Sequence, residues 1–300
     1  MATPPVILAR DLVKSYGPVE AVRGIDLEVR AAECVGLLGP NGAGKTTIMR
    51  MIMGLATPSA GELSVFGISA HTLPRTAKRR IGLVPQDNNL DPDLSVRQNL
   101  EVYGRYFGLP RGLIAERVAA LLEFMQLTEK VDQSVNQLSG GMKRRLVIAR
   151  ALISAPELVI LDEPTTGLDP QARVLIWRQL LSLKHEGRTL LLTTHYMDEA
   201  QRLCDRIVII DQGWILDQGP PVELIGRHVK GHVFEVKKPL PRGFIDGRWD
   251  HEDIGDAVLY YAETPRQVID ALPEEAVFRH RPANLEDVFL RLTGRQLRET

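Results

Sequence analysis

The stretch Gly39-Pro40-Asn41-Gly42-Ala43-Gly44-Lys45-Thr46 limits the fold more than any other part of the chain. It follows Glu33-Cys34-Val35-Gly36-Leu37-Leu38, a continuous apolar run of the kind found in strands buried on both faces. Beyond it, Lys45 to Met53 has a helical pattern that directs Ile48, Met51, Ile52 and Leu55 toward the sheet. A buried strand passing through glycines into a helix exposes unpaired backbone N–H groups at the positive end of the helix dipole, which suits phosphate. Gly39, Gly42 and Gly44 let the backbone wrap close to an anion. The Lys45 ammonium would reach β- and γ-phosphates, and the Thr46 hydroxyl would bind Mg2+. The loop by itself implies a nucleoside triphosphate site and nothing narrower.

Two later segments narrow it. Leu158-Val159-Ile160-Leu161 reads as a second buried strand whose C-terminal end carries Asp162 and Glu163. Ligands of open parallel sheets sit at the carboxyl ends of strands, so these two carboxylates belong beside the glycine loop. Asp162 suits the Mg2+ shell, through water. Glu163, on the other side of the strand, is the candidate for polarising an attacking water. Leu138-Ser139-Gly140-Gly141 offers a second set of phosphate-binding groups, for which one molecule has no obvious use. The reading that employs both sets is a dimer closing over ATP, between one subunit's loop and the other's Ser-Gly-Gly.

Strand and helix patterns alternate after residue 150: Leu158 to Asp162 strand, Gln171 to His185 helix, Thr189 to Thr193 strand, Met197 to Cys204 helix, Ile207 to Ile210 strand. Such alternation argues for a parallel sheet covered by helices. The first 35 residues instead alternate as antiparallel strands. Residues 87 to 150 are mainly helical, with Ser95 as an N-cap for Val96 to Phe107. Composition shifts at about residue 226. There His232 to Val236, Ala257 to Tyr261 and Ala276 to Phe278 read as short strands, with helices at Pro265 to Leu272 and Asn284 to Leu292. The expected organisation is a nucleotide-binding domain over 1–225, with a helical subdomain at about 87–150, and an accessory α+β domain over 226–300.

A formal net charge of -1 gives no global basic bias, so nucleic acid is not an expected partner. Lys143-Arg144-Arg145 and Lys78-Arg79-Arg80 read as solvated helix faces. No run approaches the ~18–20 apolar residues that span a bilayer, and the N-terminus has no secretory pattern. The two cysteines, Cys34 and Cys204, read as reduced core residues of a cytosolic protein.

In this order the motifs resemble those of ABC-transporter ATPase subunits over residues 5 to about 225. The fold implied is a P-loop NTPase of α/β class with antiparallel β and helical subdomains, here with a small C-terminal α+β appendage. The resemblance implies that Gly39, Pro40, Asn41, Gly42, Ala43, Gly44, Lys45, Thr46 and Thr47 contact ATP. Tyr16 matches the aromatic that stacks on adenine, and Gln86 the glutamine that contacts metal and water. Gly167-Leu168-Asp169 resembles the loop that crosses the dimer interface, and His195 matches the switch histidine near the γ-phosphate. Leu138, Ser139, Gly140 and Gly141 match the signature that contacts ATP in trans. Met142 departs from the family's commonest form, which has glutamine there. The implied metal ligands are Thr46, Gln86 and Asp162, and the implied catalytic residues are Glu163, His195 and Gln86.

A cassette of this kind without a membrane span implies a homodimer of ATPase subunits serving a separate integral-membrane permease, at the cytoplasmic face of the inner membrane. The tail Arg281-Pro282-Ala283-Asn284-Leu285-Glu286-Asp287-Val288-Phe289 resembles the ending of ATPases that serve drug and lipo-oligosaccharide exporters. Within that branch, Leu175-Ile176-Trp177 and His195 to Arg206 are most similar to the nodulation-signal export ATPases. Three rivals stand beside this reading. A soluble ABC ATPase acting on DNA or ribosomes typically has two cassettes, a long coiled coil or zinc cysteines. An importer ATPase uses the same chemistry but lacks the exporter-type tail. A GTP-binding switch would leave the Ser-Gly-Gly segment idle.

Overall fold

The alternating N-terminal residues form a hairpin of β1 (Ile7–Tyr16) and β2 (Val19–Val29), paired antiparallel from Ile7 opposite Val29 to Tyr16 opposite Val19. In the computed structural model, which describes residues 4–240 and 248–294, β4 (Ala60–Val65) and β5 (Ile68–Ser69) extend that hairpin into a sheet ordered β2-β1-β4-β5.

A second sheet contains β3 (Cys34–Leu38), β6 (Ile81–Val84), β7 (Leu158–Asp162), β8 (Thr189–Thr194), β9 (Arg206–Asp211) and β10 (Trp214–Gly219), in the order β10-β9-β3-β8-β7-β6. The helix α1 (Lys45–Ile52) joins the two sheets into one core, its Ile48, Met49, Met51 and Ile52 packed among Ile7, Leu27 and Val65 of the first and Leu37, Ile160 and Leu191 of the second. Each such side chain contributes roughly 1.5–3 kcal/mol on burial. Leu55 does not join them: the helix ends at Ile52, Gly54 turns the chain at φ 68°, and Leu55 is 67% exposed.

Between β6 and β7 the chain is helical. The short α2 (Arg75–Lys78) precedes β6, and the insert itself consists of α3 (Val96–Tyr106), α4 (Arg111–Phe124) and α5 (Gly140–Leu152). Ser95 starts α3 with a reciprocal cap: its hydroxyl accepts from Gln98 N, and the Gln98 side chain accepts from Ser95 N. Further on, α6 (Pro170–His185) and α7 (Met197–Leu203) connect the later strands.

Two compact units divide between Gln218 and Gly219. The second contains α8 (Pro221–His228), β11 (His232–Lys237), β12 (Asp250–Asp253), β13 (Ala257–Ala262), α9 (Pro265–Ile269), β14 (Phe278–Pro282) and α10 (Leu285–Thr293). Its sheet runs β12-β13-β11-β14, with Phe234, Val236, Val258, Tyr260 and Ala262 forming an apolar face against Val268 of α9. Because α8 packs with α10, the unit begins ahead of the composition shift. The strand expected at Ala276 to Phe278 lies later, at β14. An edge strand reading Phe-Arg-His-Arg-Pro has no apolar run to reveal it, and Val277 is exposed.

Candidate nucleotide site

Parallel register aligns the chemistry. Leu38 lies opposite Thr194, Asp162 opposite Thr193, and Val84 opposite Leu161. The residues that follow these strands therefore emerge at one edge: the glycine loop, Glu163, His195, and Pro85-Gln86. Two glycines are required by geometry. A Cβ on Gly39 would sit 2.1 Å from the Ile210 carbonyl oxygen. Gly44 has φ +107°, and its Cβ would meet the Ala21 oxygen at 2.5 Å. Any other residue would push the loop off the strands that support it.

The result is a cavity of about 390 Å³ lined by Ala21, the loop from Asn41 through Thr47, Gln86 and Glu163. Lys45, 5% exposed, donates from Nζ to the carbonyls of Gly39 (2.7 Å) and Pro40 (3.0 Å). Burial lowers its pKa, opposed by the charges of Glu163 and Asp162. A cation kept ready against carbonyls is suited to exchange them for phosphate oxygens.

One threonine organises both carboxylates. Thr193 Oγ1 donates to Asp162 Oδ1 at 2.6 Å and accepts from the Glu163 N–H at 3.0 Å. Glu163 itself has φ 46°, in the left-handed region that a long side chain adopts only where its surroundings enforce it. Its Oε1 lies 3.3 Å from His195 Nδ1, and its Oε2 accepts from Thr166 Oγ1 at 3.0 Å. His195 is the main cause holding the Glu163 carboxyl below the usual range. Burial opposes that shift, while Thr166 and Lys45 assist it. The group is thus a carboxylate at neutral pH, as a base must be.

The other expected residues lie elsewhere on the chain. Ser139 is the N-cap of α5, its Oγ accepting from Met142 N at 3.3 Å, with Leu138 buried and Gly140 exposed. Asp169 caps α6 by accepting from Ala172 N at 2.8 Å, after Gly167 and Leu168. The two segments adjoin, since a Cβ on Gly141 would come within 2.9 Å of Ala172 Cβ. Neither lines the loop cavity, and neither does Tyr16, which is 47% exposed at the tip of the hairpin whose Ala21 does line it. For a metal, Thr46, Gln86 and Asp162 offer hydroxyl, amide and carboxylate oxygens. These hard donors fit Mg2+, which takes most of its ligands from phosphates and water.

Sequence reasoning missed two buried groups. Arg144, grouped above with a solvated face, is 4% exposed and sets its guanidinium against the carbonyls at the C-terminal ends of the paired strands β6 and β7. The signal was present in Leu146 to Leu152, all buried: a helix covered on most sides gives a basic residue one turn earlier nowhere to solvate. Glu199 of α7 is fully buried, its Oε1 accepting from Thr165 Oγ1 (2.7 Å) and Trp177 Nε1 (3.0 Å). Cys34 and Cys204 are buried free thiols.

Comparison with known proteins agrees with this geometry. A family profile described as "ABC transporter" matches residues 22–166, and one described as "Nodulation factor export protein NodI, C-terminal domain" matches 247–294. The chain is 49% identical to the Nod factor export ATP-binding protein I of Cupriavidus metallidurans, over 98% of this chain and 99% of that one. It is also 49% identical to the protein of that name from Rhizobium meliloti, over 96% and 88%. Among solved structures, cbiO1 from Clostridium perfringens, part of an ABC transporter complex, superposes with TM-score 0.70 at 29% identity, over 75% of this chain and 92% of that one. An ATP-binding cassette solved as a dimer in a post-hydrolysis state, bound to ADP and Pi, gives TM-score 0.65 at 28% identity, over 71% and 98%.

Proposed function

We propose a site mechanism for this chain, which belongs to the ABC transporter ATP-binding family and is the ATP-hydrolysing subunit of an exporter. Two copies close on two ATP molecules, each held between one subunit's glycine loop and the other's Leu138-Ser139-Gly140-Gly141. Lys45 exchanges the Gly39 and Pro40 carbonyls for β- and γ-phosphate oxygens, and Tyr16 stacks on adenine. Mg2+, when bound, supplies charge neutralisation at those oxygens; Thr46, Gln86 and Asp162 would hold it, Asp162 through water. Glu163 takes a proton from water as its oxygen attacks the γ-phosphorus, and the bond to the bridging oxygen of ADP breaks. His195 and the opposing Ser139 stabilise the charge on the phosphoryl group in transfer.

The observation that carries this reading is the convergence of Lys45, Gln86 and Glu163 on one cavity, with His195 3.3 Å from the Glu163 carboxylate. Glu163→Gln tests it. The variant should bind ATP with wild-type affinity and lose hydrolysis by ~10²-fold or more, the scale of a lost general base. Turnover near wild type would remove Glu163 from the role.

The relatives' names point to the export of a Nod factor or similar amphiphilic lipo-oligosaccharide. No helix among the described residues is long and apolar enough to cross a membrane. As its family relationship implies, the subunit works on a separate permease, peripherally at the cytoplasmic face of the inner membrane. Purification from native membranes in mild detergent should recover a polytopic protein in equal amount. Recovery only with ribosomes or DNA would favour the soluble-ATPase rival and refute the export reading.

A further inference from the structure

α5 is capped by Ser139 and carries Arg144 in its second turn. The Arg144 guanidinium donates to backbone carbonyls of two separate segments: Nη1 to Pro85 and to Gln86 (3.0 Å), Nη2 to Asp162 (2.9 Å) and Glu163 (3.1 Å), and Nε to Pro164 (2.7 Å). A guanidinium has five N–H donors, and here every bond ends on main chain rather than on a carboxylate. Burial pushes the group down to about 10, opposed first by the Glu199 charge, so it remains a cation at neutral pH. An arrangement made only of carbonyls fixes backbone positions, which a salt bridge between side-chain tips does not.

What it fixes matters. The Gln86 carbonyl belongs to the residue read as contacting metal and water. The Asp162, Glu163 and Pro164 carbonyls flank the residue read as the base, whose backbone is in the left-handed region. Thr193 holds the Glu163 N–H, and Arg144 holds its carbonyl. Both loops are therefore tied by one side chain to the helix whose first turn is the signature.

We propose that Arg144 is a positioning residue that sets the placement of Gln86 and Glu163 in its own subunit and makes it depend on where the signature helix lies. This rests on the roles given above to Gln86, Glu163 and Ser139. When Ser139 engages the partner's nucleotide, α5 moves as a rod, and the guanidinium carries that displacement to both catalytic loops. Hydrolysis at one site then answers to ATP at the other.

The adjacent Arg145 supplies the control. It also caps carbonyls, of Met125 and Gln126 after α4, but reaches neither catalytic segment. Arg144→Lys keeps the charge but has three donors on one atom, so it cannot hold both loops. In the full chain it should lower kcat by ~10–10²-fold, the effect of misplacing a catalytic group by about an ångström. Its KM and its affinity for a fluorescent ATP analogue should stay within about 3-fold of wild type, a split that a loss confined to the transition state produces. The Hill coefficient for ATP should fall toward one. Arg145→Lys should lose comparable melting temperature while keeping kcat and the Hill coefficient. Arg144→Gln, which buries no charge and retains two amide donors, is read by the same criteria should the lysine variant not fold. Unchanged kcat in a folded Arg144 variant, or equal kcat losses in the Arg144 and Arg145 variants, would overturn the proposal. Normal turnover in Glu163→Gln would instead refute the base assignment, an outcome the Arg145 comparison does not produce.

Discussion

Gly36, in the middle of β3, allows a stability test of the strand that delivers the glycine loop. A Cβ there would lie 2.6 Å from Cys204 Sγ, 3.6 Å from Cys204 Cβ and 3.9 Å from Ile207 Cγ1. The collision is with a single atom, the sulfur at the end of α7. That sulfur is not free to swing away without cost, because its thiol contacts Cys34, the first cause of its raised pKa ahead of burial. Gly36→Ala overpacks by about 1–3 kcal/mol and regains about 0.5–1 kcal/mol of backbone entropy. Its net cost is therefore roughly 1–2 kcal/mol. Cys204→Ala removes the buried sulfur and leaves a small cavity, at about 1–2 kcal/mol. Independent effects would sum to roughly 2–4 kcal/mol. In the double variant, however, the new methyl occupies space the sulfur has left, and its nearest neighbours lie at ordinary contact distances. The double variant should lose only about 1 kcal/mol, a coupling of roughly 1–3 kcal/mol. Urea midpoints at constant m-value read these energies. A Trp249→Phe background confines the fluorescence to Trp177 and Trp214, both within residues 1–218. Additivity within about 0.5 kcal/mol would refute the packing argument.

Two further perturbations address buried charges. Burial raises the Glu199 pKa despite hydrogen bonds from Thr165, Thr194 and Trp177, so the folded state retains its proton to higher pH than the unfolded chain. Wild-type stability should therefore fall, relative to Glu199→Gln, as pH rises above the ordinary carboxylate value, because the folded form binds more protons there. Melting temperatures measured from pH 4 to 8 should show the variant's advantage widening upward, and a flat or shrinking difference would contradict it. In the second unit, Asp287 is 1% exposed, accepts two bonds from Arg281 (2.6 and 2.7 Å) and one from Asn284 N (2.9 Å). Asp287→Ala should cost about 2–4 kcal/mol, below the full penalty of an unpaired buried charge because the Arg281 side chain keeps 21% of its exposure. Limited proteolysis should then cut within 219–300 while ATP binding by the rest is retained; a variant as resistant as wild type would refute the ledger.

Where the elements that frame the site were legible in the sequence, they were so because their signals are local. The Gly39-to-Thr46 loop, the Ser95 cap and the strand ending at Asp162 each depend on neighbours a few residues away, and each stands in the structure as expected. Leu55 was misjudged because periodicity continues past a helix that Gly54 ends. β14 was misplaced because an exposed edge strand need not carry apolar residues. Arg144 was misread for a different reason. Its partners are carbonyls 18 to 59 positions away, and main-chain oxygen has no residue type to recognise.

That last miss has a physical consequence for reading any site of this construction. Motifs supply the atoms that touch phosphate, metal and water, but not the constraint on where those atoms stand. Here the parallel register brings Gln86, Glu163 and His195 to a common edge. Register alone leaves each free to move with its own loop. Thr193 binds the Asp162 side chain and the Glu163 N–H from β8, and Arg144 binds the carbonyls of both residues from α5. Glu163, the proposed base, is thus held from two elements, of which β8 lies in the sheet and α5 starts at the proposed signature. On the proposal above, a displacement of α5 would strain the hold on Glu163 without breaking the sheet, so a movement of that helix would change the rate of chemistry while the glycine loop kept its grip on nucleotide.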